Sequence, residues 1–323
     1  MEHKRSIKSF ILDTLKGVSL GISAAIAGLS AGTIAVIEGC YDTLINAVSS
    51  LRKKFKESFF TLLPYAIGLI IGALAALIGI QRGYKAAPFT LTSLFAGFVL
   101  GSLPVAFVEL KKGKTSKEKF FHVLSFVLCL LLASSLGIIT ALLDFRITFF
   151  NSDGTVIWYV YFLMLIAGFI AAFACVIPGI SGSMSLMVIG VYYPILNTYT
   201  GSDSIWHSGN NMTIVLGIVM ALILVVGAVL GVVIGSKGMK VLLSKHRVTT
   251  FYGILGLIIG SLISMYINSS IFPYYGGIEE GGVLVTIQTW DYILGAILFV
   301  LAAVSTFLLF FFLNKKKKEK TEE

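Results

Sequence analysis

Eight stretches of this sequence are long and almost free of charge, and they decide what it can fold into. Six are continuous, at about 62–80, 90–108, 120–143, 212–234, 250–268 and 290–313. Each approaches or exceeds the roughly 20 apolar residues that cross a bilayer as a helix. Two more, 17–48 and 157–199, are apolar but interrupted by glycine, serine and proline. Only 13% of the residues are charged, about half the share of a soluble domain. A chain so short of polar side chains cannot cover itself in water. In lipid the backbone has to satisfy its own hydrogen bonds, so the expected fold is an all-α integral membrane protein, one domain over 1–323.

Charge orients the spans. All of the 25 Lys and Arg except Arg82, Lys85 and Arg146 fall in five places: before Gly17, "RKKFK" (52–56), "KKGKTSKEK" (111–119), "SKGMKVLLSKHR" (236–247) and "KKKKEK" (315–320). Basic residues mark the cytoplasmic side. All five clusters share that side only if 17–48 and 157–199 are re-entrant hairpins, each leaving by the face it entered. Both termini are then cytoplasmic, with 314–323 a basic tail, and no cleaved leader is expected. The net charge of +9 is a topology signal that meets anionic lipid heads and calls for no nucleic acid. Cys40, Cys129 and Cys175 are scattered, and His3, His122, His207 and His246 share no ligand spacing. Neither set predicts a disulfide, a metal or a cofactor.

The two interrupted stretches resemble each other. "IAGLSAGTIAVIEGCYDTLIN" (26–46) aligns with "IPGISGSMSLMVIGVYYPILN" (177–197) at an offset of 151, and Gly17 matches Gly168 in the same frame. "IGLIIGALAAL" (67–77) aligns with "VGAVLGVVIGS" (226–236), and "GFVLGSL" (97–103) with "GLIIGSL" (256–262), at an offset of 159. Each half is therefore one hairpin and three spans: repeat one about 16–143, repeat two about 157–313. An odd number of crossings inverts the second half. Inverted repeats with breaks at matching positions are the pattern of a secondary transporter with its site near the midplane.

Irregular backbone at membrane depth is tolerated where it lines a cavity or is buried in protein. Beyond each tip a half-helix begins, and its free N–H groups favour an anion, phosphate above all. Gly28, Gly32, Gly179 and Gly182 allow close backbone approach; Ser30, Thr33, Ser181, Ser183 and Ser185 add hydroxyls. Small residues in membrane helices also serve plain helix packing. Glu38 is the candidate coupling carboxylate, since an acid inside the membrane is a functional suspect; Ile189 is its counterpart. Arg82, Lys85 and Arg146 are candidate outer contacts for an anionic head group, or ordinary loop residues. No phosphate-cradling loop follows a strand, so ATP use is not expected.

"PGISGS" in the second hairpin, with "AGLSAGT" in the first, resembles the polyprenyl-phosphate transporter family PopT. The resemblance runs from about Gly17 to the last span and includes "GCY" (39–41) and "GVY" (190–192). It implies a flippase that returns undecaprenyl phosphate, the lipid carrier of cell-wall precursors, from the outer to the inner leaflet of the bacterial plasma membrane. It also implies phosphate contacts at Pro178, Gly179, Ser181, Gly182 and Ser183, and at Gly28, Ser30, Gly32 and Thr33. Protons or sodium would be the coupling ion. The first motif departs from the family pattern: Ala24 stands for an acid, Ala27 for a proline and Ala31 for a glycine. Membrane undecaprenyl-pyrophosphate phosphatases share a Pro-Gly-x-Ser tip, but Gly182 occupies their arginine position and no paired glutamates lie in an apolar segment. Enzymatic hydrolysis is therefore not expected. The alternative is a secondary transporter of a small soluble anion.

Overall fold

Apolar helices surrounded by lipid gain little from hydrophobicity and associate where small residues let backbones touch. Glycine supplies those contacts here. The computed structural model describes residues 7–29, 31, 34–35, 38–50, 53–111, 119–142, 149–151, 154–177, 180–201, 204–267, 271–280 and 283–322. It divides into two units, 1–80 and 81–323.

In the first unit, α1 (Ile7–Ala25) ends in a turn at 26–28; α2 (Tyr41–Ser50) and α3 (Phe55–Ala86) follow later in the chain, the last turns of α3 belonging to the second unit. α1 and α3 run parallel and meet backbone to backbone. A Cβ on Gly17 would strike the Tyr65 carbonyl, one on Gly68 the Thr14 carbonyl, and one on Gly72 the Val18 carbonyl. Leu20, Ala35, Cys40 and Tyr65 form the core, with Ala31, Ile34 and Leu44 packed against it. The helix of the first interrupted stretch begins earlier than that stretch suggests. Asp13 is part of α1 and accepts a 2.7 Å hydrogen bond from the Tyr65 hydroxyl, so the charged turns at 7–16 extend the helix instead of preceding it.

The second unit contains α4 (Pro88–Lys111), α5 (Lys119–Leu142), α6 (Trp158–Val176), α7 (Gly182–Val188), α8 (Tyr192–Thr200), α9 (Asn211–Lys245), α10 (Arg247–Ile267), α11 (Phe272–Gly276) and α12 (Thr289–Glu322). α6 lies along α9 through contacts that mirror α1 on α3. A Cβ on Gly168 would strike the Leu224 carbonyl, one on Gly227 the Leu165 carbonyl, and one on Gly231 the Phe169 carbonyl. Every partner is displaced by the offsets of 151 and 159 found in the sequence. The other two close pairs cross between the halves of the chain. Gly97 and Gly101 of α4 meet the carbonyls of Phe299 and Ala303 on α12, and Gly256 and Gly260 of α10 meet those of Phe126 and Leu130 on α5.

Six helices among the described residues are long and apolar enough to span a bilayer: Phe55–Ala86, Lys119–Ile139, Trp158–Val176, Asn211–Lys245, Arg247–Ile267 and Thr289–Phe312. Five coincide with expected spans. The sixth, α6, is the first helix of the interrupted stretch 157–199; its 19 residues extend about 28 Å at ~1.5 Å per residue. The span expected at 90–108 is α4, with Pro88–Pro104 as its apolar part. Leu222, Val225 and Val229 stand exposed along α9, an arrangement suited to lipid and not to water. The protein is thus an all-helical, multi-pass membrane protein with one small addition. Between α10 and α12 an antiparallel ribbon pairs β1 (Ile278–Glu280) with β2 (Val283–Val285) in the register Ile278 to Val285.

Candidate functional site

The second hairpin turns where α6 runs out. The N–H of Ile177, the C-cap residue, donates to the Ala174 carbonyl, and Ile180 N–H donates to Ile177. Ser181 is extended (φ −103°, ψ 140°) and starts α7 without capping it through its side chain. Its hydroxyl instead lies 2.9 Å from the Ser183 hydroxyl. Between two hydroxyls only one proton is used, so the other remains free to donate outward. Ser185 has spent its own proton on the Ser181 carbonyl at 3.2 Å. The first-turn N–H groups of α7 have no intrahelical acceptor. α7 has only seven residues, so hydroxyls and local amides, more than an extended helix dipole, set the polarity of this tip.

Gly182 faces the preceding arm: a Cβ would come 2.7 Å from the Ala171 carbonyl and 2.8 Å from Cys175 Sγ. It brings α7 against α6. From the other side α10 holds α7: Ser261 Oγ, which donates to the Ile258 carbonyl, lies 3.5 Å from Met184 Sδ, and Ser264 Oγ donates to the Val188 carbonyl at 3.3 Å. α7 then ends in a left-handed glycine, Gly190 (φ 75°), with Val191 N–H reaching back to the Leu186 carbonyl. That is the six-to-one closure of a Schellman motif.

The described parts of the first hairpin repeat this backbone. Leu29 N–H donates to Ile26, Glu38 N–H to Ile34 and Cys40 N–H to Ala35, each bond 151 residues before its counterpart. Gly39 has φ 67° where Gly190 has 75°. Gly28 sits in the turn with φ 91°, a conformation that favours glycine. Ala27 is fully buried and Ala31 packs on the unit's core. Glu38 Oε2 is buried and has no hydrogen-bond partner among the described residues, an expensive state for a carboxylate oxygen.

Among the expected site residues, Ser181, Gly182 and Ser183 come together at one tip, while Gly28 and Glu38 belong to the first unit. Arg82 and Lys85 are exposed on the last turn of α3. Lys85 borders an open cavity of about 240 Å³ with Tyr274, Trp290 and Asp291. Ser30, Gly32, Thr33, Pro178, Gly179 and Arg146 lie outside the described residues.

Two features near Lys85 went unread in the sequence. Tyr193 of α8 stacks on Tyr84 with ring centroids 3.6 Å apart, which ties the end of the second hairpin to α3. Asp291, 2% exposed, accepts hydrogen bonds from the N–H groups of Thr90 at 2.8 Å and Phe89 at 3.3 Å. It caps α4 from another helix. The only signal in the sequence is a lone acid at the start of the last apolar run.

The chain has relatives among characterised families. It is 28% identical over 270 residues to the polyprenyl-phosphate transporter of Vibrio cholerae serotype O1 (strain ATCC 39315 / El Tor Inaba N16961), covering 79% of this chain and 77% of that one. It is 26% identical over 258 residues to the polyprenyl-phosphate transporter of Staphylococcus aureus (strain NCTC 8325 / PS 47), covering 79% and 86%. No solved structure matches it significantly. A family model described as VCA0040-like, undecaprenyl phosphate translocase-like, matches residues 20–275, from the last turns of α1 through both hairpins to α11. This protein therefore belongs to the undecaprenyl phosphate translocase-like family.

Proposed function

We propose that the protein is a flippase that returns undecaprenyl phosphate from the outer to the inner leaflet of the bacterial plasma membrane, supplying the lipid carrier for cell-wall polymer synthesis. The observation that carries this reading is the span of the family match, which takes in both hairpin tips. The names of the two relatives support the cargo. The phosphate binds at the tips, through Pro178, Gly179, Ser181, Gly182 and Ser183 in the second and Gly28, Ser30, Gly32 and Thr33 in the first, while the isoprenoid tail stays in lipid.

The second tip suits reversible binding. Its hydroxyl pair offers neutral donors with no arginine among them, and a site that holds too tightly would trap its cargo. α7 rests on the second half of α10, at Ser261 and Ser264, which supports a site within the apolar depth of that span. A tip there requires the long arm α6 to run obliquely. The matching glycine contacts of α1 on α3 and α6 on α9 support two inverted repeats, each a re-entrant hairpin and three spans. The one-sided lysines and arginines support cytoplasmic termini. Glu38, with its unpartnered oxygen, is the coupling carboxylate for protons or sodium, and Arg82, Lys85 and Arg146 meet the head group at the outer face. Hydrolysis has no part in the cycle.

The test is the leaflet accessibility of undecaprenyl phosphate in proteoliposomes, with and without the protein and with and without a proton gradient. Protein-dependent movement between leaflets is expected. Folded protein that moves no lipid but takes up inorganic phosphate would replace this reading with transport of a soluble anion.

A further inference from the structure

We propose that the cavity between α5, α6, α9 and α10 is a second lipid chamber, which holds the head-proximal isoprene units of a polyprenyl phosphate between the second tip and the basic face. This rests on the flippase reading and adds to it a site away from the hairpin tips.

The cavity has a volume of about 600 Å³, within the ~300–1,000 Å³ of small-molecule sites. One end reaches Phe173 and Ile177, the last residues before the tip. The other opens at His246, Thr249 and Thr250, where α9 passes into α10. Lys245 and Arg247 flank that junction in sequence, two basic residues next to His246 whose charge is complementary to a phosphate. Between these ends Leu242, Ile254 and Leu257 make the wall apolar. Apolar lining with polar groups gathered at one rim fits an amphiphile with one anionic head. It does not fit a free anion, which would gain nothing from the wall.

Two details keep the chamber open and its rim ordered. Gly253 lines it, and a Cβ there would come 2.8 Å from Ser125 Oγ and 3.2 Å from Cys129 Sγ, narrowing the space. Thr249 is fixed by His122, whose Nδ1 lies 3.0 Å from its hydroxyl, and its carbonyl accepts from Ser125 Oγ at 3.2 Å. The ring of His122 stacks on Tyr252 at 5.3 Å. His122 is itself buried, so it orders the rim from behind.

Cys129 lines the chamber and serves as a built-in reporter. In the full-length Cys40→Ser, Cys175→Ser variant, reconstituted in phosphatidylglycerol nanodiscs, alkylation of Cys129 by N-ethylmaleimide is followed with added undecaprenyl phosphate, undecaprenol or inorganic phosphate. At a lipid concentration about ten times its Kd, undecaprenyl phosphate slows labelling about tenfold; undecaprenol slows it less, and inorganic phosphate leaves it unchanged. Leu257→Trp and, on the exposed part of the wall, Leu242→Trp should each relieve this protection and slow leaflet exchange. Protection without any leaflet movement keeps the chamber and removes the flippase reading. Leaflet movement with labelling unaffected by undecaprenyl phosphate, and with both tryptophan variants at full rate, removes the chamber and keeps the flippase. Protection by inorganic phosphate alone also overturns it, since the site would then bind a free anion.

Discussion

Ser181 and Ser183 hold each other, and that sets what they can do for a ligand. Their shared hydrogen bond at 2.9 Å keeps both hydroxyls at the start of α7 with one proton to spare. Hydrogen bonds to a charged group contribute roughly 1.5–3 kcal/mol each. Removing both hydroxyls with Ser181→Ala and Ser183→Ala should therefore slow leaflet exchange in proteoliposomes by about ten- to a hundredfold, with the elution profile of the folded protein unchanged. Full activity in that double variant would move the phosphate site elsewhere. Glycines divide just as sharply by surroundings. Gly168→Ala would drive a methyl group into the Leu224 carbonyl, whereas Gly238 on α9 has nothing within 4 Å. Forced overpacking costs about 1–3 kcal/mol. Gly168→Ala should lower the thermal midpoint in detergent, and Gly238→Ala should leave it level or raise it, because alanine is the better helix former. Equal midpoints for the two would contradict the close contact of α6 and α9.

At the scale of elements, the spans and breaks were legible because lipid imposes length and leaves no water to satisfy a broken backbone. The Gly39 and Gly190 turns, and the contacts of Gly17 and Gly168, follow the offsets read from sequence. Other features were hidden for physical reasons. The start of α1 carries Lys8, Asp13 and Lys16 and reads as a charged cluster outside the apolar stretch until Asp13 meets Tyr65. Asp291 looks like a chance acid beside the membrane until α4 is seen to begin at Pro88 with two amides to cap. A capping acid lost to alanine costs about 0.5–2 kcal/mol, and a buried cap leaves its donors with no water to replace it. Asp291→Ala should therefore lower the thermal midpoint clearly more than Asp291→Asn, which keeps an acceptor oxygen for Thr90. If the two substitutions are equivalent, charge and not capping is what Asp291 supplies.

For the whole molecule, the decisive feature is which helices pair, and that was the least legible. In a soluble protein the buried face of a helix is apolar and the free face polar, so the partner side can be read from periodicity. On α5 and α12 both faces are apolar, because one stands exposed to lipid and the other meets protein, while α4 and α10 are covered on most sides. The sequence marks the contact residues only as glycines. The structure pairs α4 with α12 and α10 with α5, so the second span of each half of the chain lies on the last span of the other. The corresponding contacts, Gly97 on Phe299 with Gly256 on Phe126, and Gly101 on Ala303 with Gly260 on Leu130, are related by the same two shifts, 159 on one side and 173 on the other. Neither half can then complete its packing alone. Residues 1–152 would leave Gly97 and Gly101 against lipid, and residues 153–323 would leave Gly256 and Gly260 uncovered. Expressed separately in membranes, the two fragments should give little monodisperse protein. Co-expressed with a tag on one, they should copurify in equal amounts, because the exchanged pairs re-form between them. A monodisperse, thermally stable fragment 1–152 on its own would mean that each half packs within itself, and the exchanged pairing would have to be abandoned.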